Sequence, residues 1–137
     1  MWQPYIHFPK QSVLAPGLEL EVYHELSRAS ATVKMKIDTG ASMTVLPLRL
    51  ITEDLKDPPP YRITDCTDYN GNTTTMPVYL VNLKIYRIPL LNIEVIGGYN
   101  PRYGLLGLNV LKKFMLCCNG QKEKFKLNIS RKLFIFK

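Results

Sequence analysis

The sequence predicts a mainly β fold with one or two short helices, and three patterns carry that prediction. Apolar and polar residues alternate along 18–22 and again along 32–37, as they do where one face of a strand is buried. Asn70-Gly71 separates two extended runs, 61–69 and 73–85. It is a strong short-range hairpin signal, because a two-residue type I′ turn needs φ > 0 at both central positions. Helical patterning is confined to a turn at 47–50 and a short run at 108–114.

Taken in order, residues 1–17 carry Pro4, Pro9 and Pro16 and end at Gly17. Proline removes a ladder donor and fixes φ, so this segment is expected as an extended arm or sheet edge. The strand at 18–22, a turn at 27–30 and the strand at 32–37 should form a hairpin that delivers Asp38 at its end. A short strand at 44–46 precedes the helical turn opened by Pro47, and Thr52 to Leu55 reads as polar surface. Pro58-Pro59-Pro60 is a stiff connector. The hairpin that follows has a polar end, with Asp65, Thr67, Asp68 and Asn72 to Thr75, so it should project rather than bury its tip. A strand at 90–96 leads to a loop over Gly97-Gly98-Tyr99-Asn100-Pro101. After the helical run come strands at 115–118 and 125–129, turning at Asn119-Gly120, and an apolar terminal strand at 133–136. The expected division is an arm at 1–17, one domain at 18–129 and a basic and apolar tail at 130–137.

Composition narrows the function classes. A chain of 137 residues is large enough to bury one core without staples, and its ordinary apolar and charged fractions, 46% and 21%, exclude disorder. No apolar run approaches the ~18 residues that a membrane span requires. The N-terminus lacks the basic start and apolar stretch of a signal peptide. Three cysteines, Cys66, Cys117 and Cys118, form no framework, which points to reduced thiols in a cytoplasmic or other reducing compartment. There is no CxxC pair and no HExxH, and His7 and His24 lie far apart, so neither a metal centre nor a cofactor is expected. Gly97-Gly98 and Gly104 lack the Gly-Lys-Ser/Thr that would make a phosphate loop. The net charge of +7 is concentrated late in the chain. There the lysines alternate with Phe125 and Leu127, which favours the solvated face of a strand over a nucleic-acid footprint.

The chemistry lies in Asp38-Thr39-Gly40-Ala41-Ser42. A carboxylate that activates water is commonly tuned by a second one. Two acids about 3 Å apart share a proton, leaving one as general base and the other as general acid. Asp38 supplies one such group, Gly40 permits a sharp turn and close backbone approach, and Thr39 and Ser42 add hydroxyls. Asp-Thr-Gly by itself also suits a plain β-turn after a strand. Ser42 is not a serine nucleophile, since no G-x-S-x-G surrounds it and neither histidine sits in a matching motif. Cys66 on the hairpin arm reads as an ordinary thiol rather than a redox handle. Cys117 and Cys118 should face opposite sides of a strand and so cannot share a metal.

With its lead-in Val33-Lys34-Met35-Lys36-Ile37 and its follow-on Thr44-Val45-Leu46-Pro47, this segment resembles the active-site segment of retropepsin-like aspartic proteases. Leu105-Leu106-Gly107-Leu108-Asn109-Val110-Leu111 is similar to the family's second motif, paired apolar residues plus glycine before a short helix. The likeness covers roughly residues 18–129. It implies an acid-protease barrel with one short C-terminal helix, acting on peptides as a homodimer with one aspartate from each subunit. By the same resemblance Asp38 is the catalytic acid/base and Thr39 makes cross-subunit contacts. Gly40 and Ala41 line the cleft floor and touch substrate backbone, and Ser42 supports the carboxylate. Tyr69, Asn70, Gly71 and Asn72 would be the tip of a flap over substrate, and Leu105, Leu106 and Gly107 the supporting motif. Two departures stand out. Leu108-Asn109 lacks the charge that often follows the glycine, so an ion pair bracing the helix is expected to be missing or replaced. The flap tip has a single glycine. The strand at 133–136 is a candidate dimer interface. Two other readings stay open: a silent peptide-docking or dimerisation version of the fold, and a basic nucleic-acid interaction protein.

Overall fold

The computed structural model describes residues 1–129; the tail at 130–137, with the interface strand expected in it, lies outside the described residues. Ten strands and one short α-helix make up the described chain. The arm begins with β1 (Gln3–Pro4) and is tied down by a bridge between Ile6 and Ala15. It ends in β2 (Gly17–His24), which forms the expected hairpin with β3 (Ala29–Ile37), Leu20 opposite Val33. The turn is two residues earlier than expected, at 25–28, because Ala29 and Ser30 are already paired and Arg28 takes a positive φ of 53°. The arm is not loose: the Phe8 ring is fully buried and packs edge-on against Tyr103 at 4.9 Å.

After β4 (Thr44–Pro47), the helical turn runs beyond Leu50. It widens into a π turn over Leu50–Asp54, in which the Leu55 N–H reaches the Leu50 carbonyl at 3.0 Å. Leu50, Ile51 and Leu55 all enter the core, because the i→i+5 turn brings Leu55 round to the side of Leu50. Leu55 is therefore core and not the polar surface expected for 52–55. β5 (Arg62–Thr67) and β6 (Thr73–Ile85) make the projecting hairpin. Its turn differs from the type I′ expectation. Only Gly71 has positive φ, at 86°, and the Gly71 N–H donates to the Asp68 carbonyl at 3.0 Å. The loop is therefore three residues, Tyr69-Asn70-Gly71, with the left-handed position last. Asp68 causes the change: its Oδ1 accepts the backbone N–H groups of Asn70 and Asn72, both at 2.9 Å, and folds the loop around itself.

β7 (Ile88–Gly98) pairs back on β6 and runs further than expected. Gly97-Gly98 is strand, not loop, and pairs in parallel with Leu46 and Pro47 of β4. Side chains there would meet Leu48 Cδ1 at 2.8 Å and Val45 Cγ1 at 2.5 Å, so the two glycines read as a breaker in sequence but are a close strand contact in space. β8 (Gly104–Leu106) lies between β3 and β4, and α1 (Leu108–Leu111) is shorter than the run that suggested it. β9 (Phe114–Asn119) and β10 (Lys124–Ile129) close the described chain as a hairpin.

The main sheet runs β2-β3-β8-β4-β7-β6-β5, and β2 also pairs with β6 through Val22 and Leu83. Six strands thus close into a barrel, with β5 added outside the closure. Its interior holds Met35, Leu46, Leu83, Ile85, Val95 and Leu106, all fully buried. Each such side chain contributes roughly 1.5–3 kcal/mol relative to exposure. A second sheet, β1-β10-β9, packs Phe125 and Leu127 onto the same core, so the late lysines do alternate with buried residues. Among the described residues no helix is long and apolar enough to cross a membrane.

Candidate active site

Val33, Met35 and Ile37 bury one face of β3, and the residue after them emerges half-buried at the strand's end: Asp38. Its height is set by β8. The two strands pair in parallel, Ile37 against Leu106, and the Asp38 N–H extends the ladder by donating to the Leu106 carbonyl at 3.0 Å. The chain then turns back on itself. Ala41 N–H donates to the Asp38 carbonyl at 3.2 Å, and Gly40 N–H donates to Asp38 Oδ1 at 2.9 Å. A carboxylate held this way has one oxygen fixed by its own loop, in a charge-assisted bond, while Oδ2 is not used by the turn. Gly40 has no positive φ, so it serves space rather than conformation: a Cβ would stand 3.2 Å from Asp38 Oδ1. Thr39 and Ser42 are exposed, and Ala41 is half-buried.

The second motif grips this loop from below. The first N–H groups of a helix have no partner within it. Here no side chain caps α1; instead Leu108 N–H donates to the Ala41 carbonyl at 2.8 Å and Asn109 N–H to that of Ser42 at 3.1 Å. That explains how the helix can start directly after Gly107. Gly107 passes so close to β4 that a Cβ would lie 2.5 Å from the carbonyl carbon and oxygen of Met43. Its N–H donates to Thr44 Oγ1 at 3.0 Å. Thr44 is fully buried, and its N–H and hydroxyl both donate to Asn109 Oδ1 at 2.8 Å. Asn109 Nδ2 donates in turn to the Glu94 carbonyl at 2.8 Å. This neutral network ties α1 to β4 and β7, where the sequence pointed to a missing or replaced ion pair.

The remaining candidates separate into two groups. Ala41, Ser42, Leu105, Leu106 and Gly107 are brought to the Asp38 loop. Tyr69, Asn70, Gly71 and Asn72 are brought to the end of the projecting hairpin, all exposed, with Tyr69 wholly so. The hairpin's near side covers a cavity of about 280 Å³ lined by Val45, Cys66, Thr67, Asp68, Asn72, Thr74, Met76, Ile96 and Tyr99. Asn72 lines it; Tyr69, Asn70, Gly71 and Asp38 do not. Its floor continues into a small apolar cluster of Met76, Val78 and Ile96 with Met43 and Val45.

Sequence reading overlooked Thr44 and Asn109 as supports, and Val45, Met76 and Ile96 as walls. The first pair did leave a signal. Each is a polar residue inside an apolar run, and a polar group buried there needs a partner. Cys66 is half-buried on the cavity, Cys117 is half-buried and Cys118 exposed. Among the described residues no group of three or more His, Cys, Asp or Glu side chains is placed to hold a metal.

A family described as "gag-polyprotein putative aspartyl protease" matches residues 26–113. No curated protein sequence matches the chain. The protease of simian foamy virus (mac) superposes with a TM-score of 0.52 at 21% identity, covering 71% of this chain and 92% of its own. A retropepsin-like aspartic protease from Rickettsia conorii gives a TM-score of 0.52 at 17% identity, covering 87% of this chain and 97% of its own. At these identities the likeness is one of fold: a retropepsin-like barrel.

Proposed function

Because the chain belongs to the gag-polyprotein aspartyl protease family, we propose that it is an aspartic endopeptidase completed by a second copy of itself. One observation carries the reading: a single Asp-Thr-Gly loop is rigidly held at a strand end, half-exposed, by the second motif of the same chain. One such loop offers one carboxylate. Peptide hydrolysis by this chemistry takes two, sharing a proton. The partner is Asp38 of the second copy.

Between the two carboxylates a water attacks the peptide carbonyl. The ionised acid takes a proton from that water, and the protonated one delivers its proton toward the departing amine. Asp38 is the acid/base, Thr39 makes the contacts between subunits, Gly40 and Ala41 form the floor against which substrate lies, and Ser42 supports the carboxylate. The Asp68–Asn72 hairpin end is the flap, with Tyr69, Asn70, Gly71 and Asn72 meeting substrate from above. Residues 18–129 constitute the protease unit. Neither a metal nor a cofactor takes part.

A peptide-library cleavage assay, run on the parent and on Asp38→Asn at several protein concentrations, tests the proposal. Cleavage should be lost in Asp38→Asn, and activity per chain should fall on dilution through the dimer dissociation constant. Equal cleavage by parent and variant would remove the protease reading. A fully active monomer in sedimentation would remove the shared site. The rate should rise and then fall with pH, as expected for a pair of acids sharing one proton.

A further inference from the structure

The outer face of the second sheet holds an arrangement that peptide hydrolysis does not use. Phe125 and Leu127 of β10 point into the core, so Lys124, Lys126 and Asn128 point outward. β9 sets Asn119, Cys117 and Met115 opposite these three, on the same face. β1 pairs on the other side, Pro4 opposite Lys124, and this brings Trp2 beside Lys126, whose Nζ lies 4.9 Å from the ring centroid. Trp2 is 45% exposed and Met115 58%. Lys112, Lys113, Lys122, Lys124 and Lys126 face a single acidic residue, Glu123, over 112–129.

We propose that this face is a binding platform for single-stranded nucleic acid, with Trp2 as the base-stacking surface and Lys124 and Lys126 as phosphate partners. Alternating lysines alone describe a solvated strand. What the fold adds is the chain's one tryptophan, carried from the far end of the sequence to the sheet edge beside Lys126 and left half-exposed under its ammonium group. Lys124 and Lys126 are two residues apart on one strand, about 6.8 Å at ~3.4 Å per residue, a step that an extended sugar–phosphate strand can follow. A sheet face pairing aromatic and cationic side chains suits sequence-tolerant binding, because every base has a face to stack and every nucleotide a charge. An anionic membrane is the weaker fit: interfacial binders bury a continuous apolar face, whereas here Trp2 and Met115 are separated by lysine and asparagine. The site lies on a different sheet from the Asp38 loop and does not depend on the protease reading.

The full chain is titrated with a 20-nucleotide oligothymidylate, reading the fluorescence of Trp2, the only tryptophan. Saturable quenching is expected, with affinity falling about tenfold between 50 and 200 mM salt for two or three phosphate contacts. A labelled oligonucleotide followed by anisotropy should bind Trp2→Leu roughly tenfold more weakly through lost stacking. It should bind Lys124→Glu/Lys126→Glu more weakly still, each variant being checked for parent-like circular dichroism. No quenching at 50 mM salt overturns the proposal. So does equal quenching by polyglutamate, which would make the face a general polyanion surface, and so does binding to phosphatidylserine vesicles without binding to the oligonucleotide.

Discussion

Asn109 Oδ1 accepts two hydrogen bonds from Thr44, one from its backbone N–H and one from its hydroxyl, each at 2.8 Å. The pair lies directly beneath the Asp38 loop, because the Thr44 hydroxyl also accepts from Gly107, whose neighbour Leu106 holds the Asp38 N–H. Removing the amide in Asn109→Ala orphans buried donors and should cost about 1–3 kcal/mol, read as a lower denaturation midpoint. Thr44→Val should cost a similar amount. Because both changes break one network, their costs should not add in the double variant. Additive losses in a double-mutant cycle would show that the two residues act separately.

Gly107→Ala should be among the most damaging single changes in the described chain. The new methyl would press on the backbone of Met43, which unlike a side-chain end cannot swing away. Overpacking of this kind costs about 3 kcal/mol or more when the neighbour cannot yield. Thermal unfolding should move down sharply, and peptide cleavage should fall with it because the same contact positions Asp38. A variant with parent-like unfolding would mean that β4 can shift after all.

Gly71 tests the hairpin end without touching the core. A Cβ there meets nothing within 4 Å, so the whole cost of Gly71→Ala lies in its φ of 86°. Holding a non-glycine residue in that region costs about 1–2 kcal/mol, and Asn tolerates it better than Ala. Stability and peptide turnover should rank parent, then Gly71→Asn, then Gly71→Ala. Equal behaviour of the two variants would rule out backbone conformation as the reason for glycine at 71.

Alkaline stability should report on Tyr79. Burial, with the Asp57 charge adding to it, raises its phenol above the ordinary 10.0, and the residue is only 5% exposed. The folded state therefore holds its proton more tightly than the unfolded chain does. That contribution to stability is complete below about pH 10 and is lost as pH rises through the raised value. Denaturation midpoints measured from pH 8 to 11 should fall in the parent and fall less steeply in Tyr79→Phe. Parallel curves would exclude Tyr79 as a source of the loss.

Much of this protein was legible because the relevant signals are local. Period-two alternation put Leu20, Val22, Val33, Met35 and Ile37 inside before any partner strand was known. Asp38-Thr39-Gly40 and Leu105-Leu106-Gly107 were legible for the same reason: each is a few contiguous residues whose types fit one turn or one close approach. Punctuation residues were less dependable. Gly97-Gly98 has the composition of a loop and is strand, because glycine marks both a break and a tight contact. Asn70-Gly71 has the composition of a two-residue turn, yet the Asp68 carboxylate captures two N–H groups and widens it.

The sequence alone therefore determined the mainly β class, the buried face of β2 and β3, and which aspartate sits in a motif fit for acid–base work. Which strands are neighbours was left to the tertiary structure. Periodicity reports that a face is covered but not by what, and the covering residues can be distant: Asn109 and Thr44 are 65 positions apart. Only the closed barrel brings the Leu106 carbonyl to the Asp38 N–H and Asn109 to Thr44. Only the small sheet brings Trp2 to Lys126. Those meetings are set by the packing of one shared core, a property of the whole chain that no single stretch of it carries.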